Sequence, residues 1–145
     1  MKKNYIMLVF CLMLFLLVSC AVPYEFSQEI SDLEHIKIEI VNIEATMGYH
    51  SGESYNEDNI SVITVIENDK KEEFLSDFSQ IKSYQPNFGS RIESVSGEGI
   101  RITYQNGDIE LITDYGTATV TSGEIQNYTT TFDSEQFTEL LEKYS

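Results

Sequence analysis

Two alternating segments around Asn106 and Gly107 constrain the fold of this chain more than any other feature. Residues 100–104 and 109–113 both alternate apolar with polar side chains, which is the period of a half-buried strand. Asn-Gly between two such segments is typical of a two-residue type I′ turn. The sequence therefore predicts an antiparallel β-hairpin here.

Further strands are predicted on both sides of this hairpin. Residues 36–43 begin with isoleucines that alternate with charged residues, which again indicates a half-buried strand. The β-branched run 60–66 predicts a strand buried on both faces. Shorter strands are expected around 117–120 and 128–132, and 87–98 predicts either an irregular connection or a weak strand around Ile92.

Two helices complete the predicted fold. Asp69 is a candidate N-cap, and the apolar residues from Phe74 to Ile81 then fall on one helical face. Asp133 is a second candidate N-cap, with Gln136 reaching back to it and an apolar face from Phe137 onward. We expect an α+β domain with a single antiparallel sheet of five or six strands and two helices packed on one face.

The first twenty residues have the layout of an export signal. Lys2 and Lys3 form a short basic region, and residues 5–18 carry no charged side chain. An apolar stretch of about fifteen residues is short for a helix that crosses a bilayer, which needs roughly twenty. The stretch ends in Leu17-Val18-Ser19-Cys20, which resembles the lipobox of bacterial lipoproteins.

That resemblance implies a maturation path and a location. In lipoproteins the signal is cut before the cysteine, whose sulfur carries a diacylglycerol, and two or more acyl chains give stable anchoring. The chain would then consist of a signal peptide (1–19), a lipidated Cys20 with a tether (20–33) and one α+β domain (34–145). We expect a lipid-anchored protein of the cell membrane that faces outside the cytoplasm. The alternatives are an ordinary signal peptide or an uncleaved short anchor, in which Cys20 is incidental.

The later part of the chain carries a second resemblance. The hairpin segment 99–108, the motif Asp114-Tyr115-Gly116 and the closing segment 132–144 look like small uncharacterised lipoproteins found mainly in Gram-positive bacteria. These motifs consist of turn and core residues. The resemblance therefore implies an exported lipoprotein and assigns no site residues.

Charge and cysteine content exclude several classes of function. The formal net charge of −15 becomes −17 when Lys2 and Lys3 leave with the signal, which disfavours nucleic-acid binding. Cys11 would leave with the signal as well, so the mature chain would have no disulfide, no thiolate nucleophile and no cysteine-based zinc site. The acidic surface predicts a basic partner or cations, or is simply a solvated surface.

One predicted loop carries the residues that chemistry would need. Residues 45–59 show no apolar period, and His50 lies there beside Glu53, Glu57 and Asp58. These side chains could form a metal site or a histidine–carboxylate pair, although the loop lacks the pattern of an EF-hand. We name no catalytic residue, metal ligand or cofactor, and keep a small metal-dependent or hydrolytic enzyme using the 48–59 loop as the alternative function.

The favoured function is a noncatalytic binding module at the cell envelope. The chain has nine tyrosines, and tyrosine is favoured at recognition surfaces because it joins a large ring to a polar tip. Tyr49, Tyr55 and Tyr115 are the candidate contacts to an envelope or extracellular protein, unless they only border a small core. An edge strand of the sheet could also pair with an extended segment of the partner.

Overall fold

The computed structural model of the chain describes residues 23–44, 49–85, 92 and 94–145, so Cys20 and the predicted signal lie outside the described residues. Short 3-10 turns at Glu57–Asn59 and Asn68–Lys70 precede a strand and a helix, respectively. The strands are β1 (Lys37–Ile43), β2 (Ile60–Val65), β3 (Ser83–Tyr84), β4 (Gly97–Thr103), β5 (Ile109–Thr113), β6 (Gly116–Thr121), β7 (Glu124–Tyr128) and β8 (Thr131–Phe132), and the helices are α1 (Lys71–Phe78) and α2 (Ser134–Tyr144).

Six of these strands form one antiparallel sheet. Their order across the sheet is β2-β1-β4-β5-β6-β7, and β3 pairs separately with β8. Residues of α1 and α2 pack in one core cluster on a single face of the sheet. The predicted α+β class, the six-stranded antiparallel sheet and the placement of both helices are therefore confirmed. None of the helices in the described ranges is long and apolar enough to cross a membrane.

The hairpin of β4 and β5 is confirmed, but its turn differs from the prediction. The Tyr104 N–H donates to the Asp108 carbonyl and the Gly107 N–H to the Tyr104 carbonyl, both at 2.9 Å. Gly107 takes a φ of 88°, so the connection is a three-residue loop that ends in a left-handed glycine. Two consecutive positive φ values occur instead at Ser122 (55°) and Gly123 (81°), in the turn between β6 and β7.

That second turn also corrects the predicted C-terminal strands. A strand was expected over 128–132, whereas β7 ends at Tyr128 and β8 covers only Thr131–Phe132. Ser122-Gly123 is a two-residue hairpin turn, which starts the return strand at Glu124. The prediction missed this because the segment after the turn has little apolar alternation. At Ile92 the structure has no strand.

The helix starts agree in part with the prediction. The Asp133 carboxylate accepts the Gln136 N–H at 3.0 Å, which confirms the N-cap of α2. The Gln136 side chain instead accepts the Lys82 N–H at 3.1 Å. The expected N-cap at Asp69 is wrong, because a 3-10 turn occupies 68–70 and α1 begins one residue later without a side-chain cap.

The sheet is covered on both faces. Isoleucines of β1, β4 and β5 contact the two helices on one face, which we call the helix face. On the opposite face Val41, Leu111 and Ala118 pack against Tyr49 and Val95, which come from the long connections. The central strands β4 and β5 are consequently buried from both sides.

Strand β2 corrects a further prediction. The run 60–66 was expected to be buried on both faces, but the fractional exposures of Val62, Ile63 and Val65 are 46, 45 and 43%. The reason is the position of β2 at an edge of the sheet, beyond β1, where the helices and loops among the described residues leave it uncovered. Only Ile66, just past the strand, is buried.

Candidate functional site

Strand β2 presents an open edge to solvent. It pairs antiparallel with β1, and none of the other described strands pairs with its outer side. The Ile66 N–H donates to the Ile38 carbonyl on β1 at 2.9 Å, so the N–H of the preceding residue, Val65, points outward. Outward N–H and C=O groups on an edge strand form a template for another strand.

The side chains of this edge are unusually apolar for their exposure. Five large hydrophobic side chains among the described residues are exposed, and β2 provides three of them: Val62, Ile63 and Val65. Natural proteins normally protect such edges with charges, bulges or a covering segment. An exposed apolar edge of this kind is therefore typical of an interaction site.

A β-bulge divides the open edge. Val41 of β1 pairs with Val62 and Ile40 pairs with Thr64, so Ile63 is the extra residue. A bulge of this kind increases the local twist and re-aims side chains. It makes the edge a poor match for a long flat strand, and favours a short segment that follows the same twist.

Acidic residues flank the open edge at both ends. Glu57 and Asp58 lie in the 3-10 turn before β2, and Glu67 and Asp69 follow it. All four are exposed. Because these four acids outnumber the single Lys70 in the same two turns, the surroundings of the edge favour a segment with positive ends.

A buried ion pair holds one of these acidic ends in place. Arg101 on β4 and Glu39 on β1 are opposite each other in the register, and Arg101 Nε lies 2.7 Å from Glu39 Oε2. The same guanidinium donates through Nη1 to the Tyr55 hydroxyl and to Glu57 Oε1, each at 3.2 Å. Arg101 thereby connects the centre of the sheet with the turn that leads into β2.

The two charges of this pair stabilise each other. Burial by itself would raise the pKa of Glu39, but the hydrogen bonds from Arg101 and Lys37 outweigh it and the pKa lies below its ordinary value. Burial would lower the pKa of Arg101, and its bonds to Glu39 and Tyr55 raise it instead. Lys37 Nζ lies 2.7 Å from Glu39 Oε1. Both groups are therefore charged at neutral pH.

A groove lies on the helix face near β7, the edge strand opposite to β2. It has a volume of about 450 Å³ and lies between the N-terminal segment 24–28 and the strands β6 and β7. Its acidic lining residues are Glu25, Asp108 and Glu110. The side contributed by β6, β7 and the residues after them consists of Thr117, Thr119, Thr121, Gln126, Tyr128 and Thr130, which we call the uncharged wall.

The carboxylate of Glu110 is fully engaged inside this groove. It accepts hydrogen bonds from the hydroxyls of Tyr24 and Tyr104, and from the N–H and hydroxyl of Ser27 at 3.0 and 2.8 Å. Burial and the neighbouring Glu110 raise the pKa of the Tyr24 and Tyr104 hydroxyls, so both are donors at neutral pH. Glu110 therefore fixes the N-terminal segment on the sheet.

The three tyrosines predicted as candidate contacts lie in different surroundings. Tyr49 is buried with its hydroxyl on the Asn56 carbonyl, and its ring stacks on Tyr55 at 5.3 Å. Tyr55 is half-buried beside Arg101. Tyr115 is 39% exposed and accepts the Ser96 N–H at 2.8 Å. Tyr49 and Tyr55 lie together, whereas Tyr115 does not join them.

The predicted loop chemistry is not assembled by the described residues. His50, Glu53 and Asp58 are exposed, while Gly48 lies outside the description. Over the described ranges no three His, Cys, Asp or Glu side chains are placed to hold a metal ion. His35 pairs with Asp32 at 2.7 Å in an exposed position, which lowers the pKa of Asp32.

The sequence did not identify β2 as the edge. Its only hint is that Ser61 and Thr64 interrupt the apolar run and that acids flank it, a pattern more typical of an edge than of a central strand. Comparison with protein-family models, with curated proteins and with solved structures finds no match to this chain.

Proposed function

We propose that this protein is a lipid-anchored, noncatalytic binding module of the cell envelope, and that it binds an extended segment of a partner protein as an added strand on β2. The observation that carries the proposal is the uncovered apolar edge formed by Val62, Ile63 and Val65. In this mode of recognition backbone hydrogen bonds supply affinity and alternate side chains supply specificity.

The location in the envelope rests on the N-terminal sequence. Leu17-Val18-Ser19-Cys20, preceded by an apolar stretch and two lysines, supports export and lipidation of Cys20. A diacylated cysteine holds a protein stably at a membrane. The module would thus be displayed outside the cytoplasm, where an extended segment of an envelope or extracellular protein can reach it.

Charge decides between the classes of partner strand. A second copy of the chain, paired antiparallel through β2, would bring the Glu57-Asp58 end of one copy beside the Glu67 and Asp69 end of the other. Like charges at that distance disfavour the dimer. A segment with apolar alternation in the middle and lysine or arginine at both ends is attracted by the same acidic ends of β2. This is the partner that we propose.

A pair of short peptides tests this with the lipidated chain in detergent micelles. The probe has alternating valine and threonine with two lysines at each end, and the matched peptide has glutamates in place of the lysines. We expect saturable binding of the lysine peptide, amide shifts confined to β2 and its neighbours, and weaker binding as salt increases. Equal binding of both peptides, or shifts elsewhere, would contradict the proposal.

Two variants locate the binding site. Val62→Lys with Val65→Lys places charges on the open edge, and should weaken binding of the lysine peptide by at least about tenfold. Thr138→Lys is the matched control, because Thr138 is exposed on α2, away from both the open edge and the uncharged wall. Crosslinking in native membranes should then lose any captured partner with the β2 variant and retain it with the control.

A further inference from the structure

The segment that follows the predicted lipidation site is bound to the domain. Side chains along residues 24–33, which we call the strap, alternate between half-buried and exposed as far as Ile30. The Tyr24 ring lies 5.2 Å from Phe132 and 5.8 Å from Phe78, and the Phe26 ring lies 5.5 Å from Phe78. These contacts make the strap part of the core on the helix face.

Polar contacts fix the strap at three further points. Glu110 holds Tyr24 and Ser27, as described above. The Gln28 side chain donates to Asp108 Oδ2 at 2.7 Å, in the loop between β4 and β5. The buried Lys71 of α1 donates to the Leu33 carbonyl at 2.8 Å. The strap therefore has a defined path across the helix face and is not free to swing.

Covalent geometry then limits where the lipid can be. Four residue steps separate Cys20 from Tyr24, and a fully extended chain covers at most about 3.6 Å per residue, or about 14 Å in all. The Tyr24 hydroxyl bonds to Glu110 on β5, and three spacings of about 4.8 Å, or about 14 Å, separate β5 from β2. A lipid on Cys20 consequently lies nearer to the groove that Tyr24 lines than to the open edge, unless these four steps run straight across the sheet at full length.

The surface nearest to that lipid differs in charge from the rest of the domain. The chain has 24 Asp and Glu residues, yet the uncharged wall presents only hydroxyl and amide groups. The acids of the groove lie on its strap side: Glu110 is buried, Asp108 is half-buried and accepts hydrogen bonds from Gln28 and Asn106, and Glu25 is exposed. Because acidic groups are repelled by the negative potential of a membrane surface, this wall is the part of the domain best suited to lie against headgroups.

We infer that the strap fixes the orientation of the domain at the membrane, with the uncharged wall facing the lipid headgroups and the open edge of β2 facing away. The inference rests on the lipid anchor of the proposed function. It explains how an acidic domain on a very short linker is held at a bilayer, and why its partner-binding edge lies on the far side of the sheet.

Single thiols can test this orientation in the full lipidated chain. Lipidation occupies Cys20 and removes Cys11 with the signal, so an introduced cysteine is the only free thiol. Gln126→Cys places a fluorophore on the uncharged wall, and Ser61→Cys places it on β2. In vesicles of phosphatidylcholine with a fraction of anionic phosphatidylglycerol and a headgroup-linked quencher, we expect at least about twofold stronger quenching at residue 126 than at residue 61, given the width of the sheet.

A linker variant supplies the matched control. A flexible Gly/Ser insertion of about twenty residues between Val22 and Pro23 leaves every strap contact intact but frees the domain from the surface, so the two labels should be quenched equally. Equal quenching without the insertion, or stronger quenching at residue 61, would overturn the inferred orientation while leaving the lipid anchor standing. Failure of the chain to float with vesicles would overturn the anchor, and the orientation with it.

Discussion

Arg101 Nε and Glu39 Oε2 lie 2.7 Å apart in the interior, although 62 residues separate them along the chain. Glu39 is 1% exposed and Arg101 is 7% exposed, so neither charge has bulk water as an alternative partner. Removal of one member of a buried pair leaves the other charge uncompensated, which strongly lowers the free energy of unfolding.

The first prediction concerns stability. Arg101→Met should lower the free energy of unfolding by about 3 kcal/mol or more, because Glu39 would keep only its contact with Lys37. Adding Glu39→Leu to that variant should recover a large part of the loss. Denaturant titration followed by circular dichroism measures both. A double variant that is less stable than Arg101→Met would contradict this account.

The second prediction follows from the lowered pKa of Glu39. A carboxylate whose folded pKa is lowered stabilises the fold above its unfolded pKa of about 4.3, and this contribution is lost as the pH falls through the folded value. The free energy of unfolding should therefore decrease as the pH falls below about 5. Glu39→Gln should flatten that dependence.

Surface acids provide the control for this pH dependence. Hydrogen bonds from Lys143 and Tyr144 lower the pKa of Asp77, so it contributes with the same sign. Because that pair is accessible to solvent, Asp77→Asn should flatten the curve less than Glu39→Gln does. If the two variants changed the slope equally, the buried pair would not be the main acid-sensitive group.

The third prediction compares two glycines. A Cβ on Gly99 of β4 would lie 2.3 Å from the Ile112 carbonyl oxygen, which belongs to the backbone of β5. A Cβ on Gly116 would meet the tip of the Ile92 side chain at 2.4 Å, which can rotate away. Gly99→Ala should thus cost about 1–3 kcal/mol or more, and Gly116→Ala clearly less. Thermal unfolding of the two variants side by side gives the order.

The fourth prediction tests the strap. Tyr24→Phe keeps the ring in its aromatic cluster and removes the donor to the Glu110 carboxylate, a loss of about 1.5–3 kcal/mol for a hydrogen bond to a charged group. Hydrogen exchange at the Ser27 N–H should accelerate as well. Tyr128→Phe is the matched control, since its hydroxyl bonds to Gln126 at the surface and its loss should be nearly neutral.

Local signals predicted the elements of this fold better than their arrangement. The alternation on either side of Asn106 identified the central hairpin, and Asp133 identified the start of α2, because both depend on neighbours in the sequence. The turn at Ser122 and Gly123 was missed, since its second strand has weak apolar alternation. Asp69 failed as a cap because a 3-10 turn lies before α1.

The arrangement depends on contacts between distant residues. Apolar periodicity does not distinguish a β-branched run in the middle of a sheet from one at its edge, and the hint from Ser61, Thr64 and the flanking acids is weak, so β2 was expected to be buried. Likewise, the partners of Glu110 lie 86 and 83 residues away in Tyr24 and Ser27, and no spacing rule connects them. The candidate site was therefore not predicted, although the idea that an edge strand takes part was.

The aromatic cluster around Phe132 has a consequence for the order of folding. Its ring lies 5.2 Å from Tyr24 and 5.6 Å from Phe137, so a residue that leaves the ribosome early and one that leaves late share the same core. The strap cannot be secured until β8 and α2 have been made. The complete native core is therefore accessible only after nearly the whole chain has been synthesised.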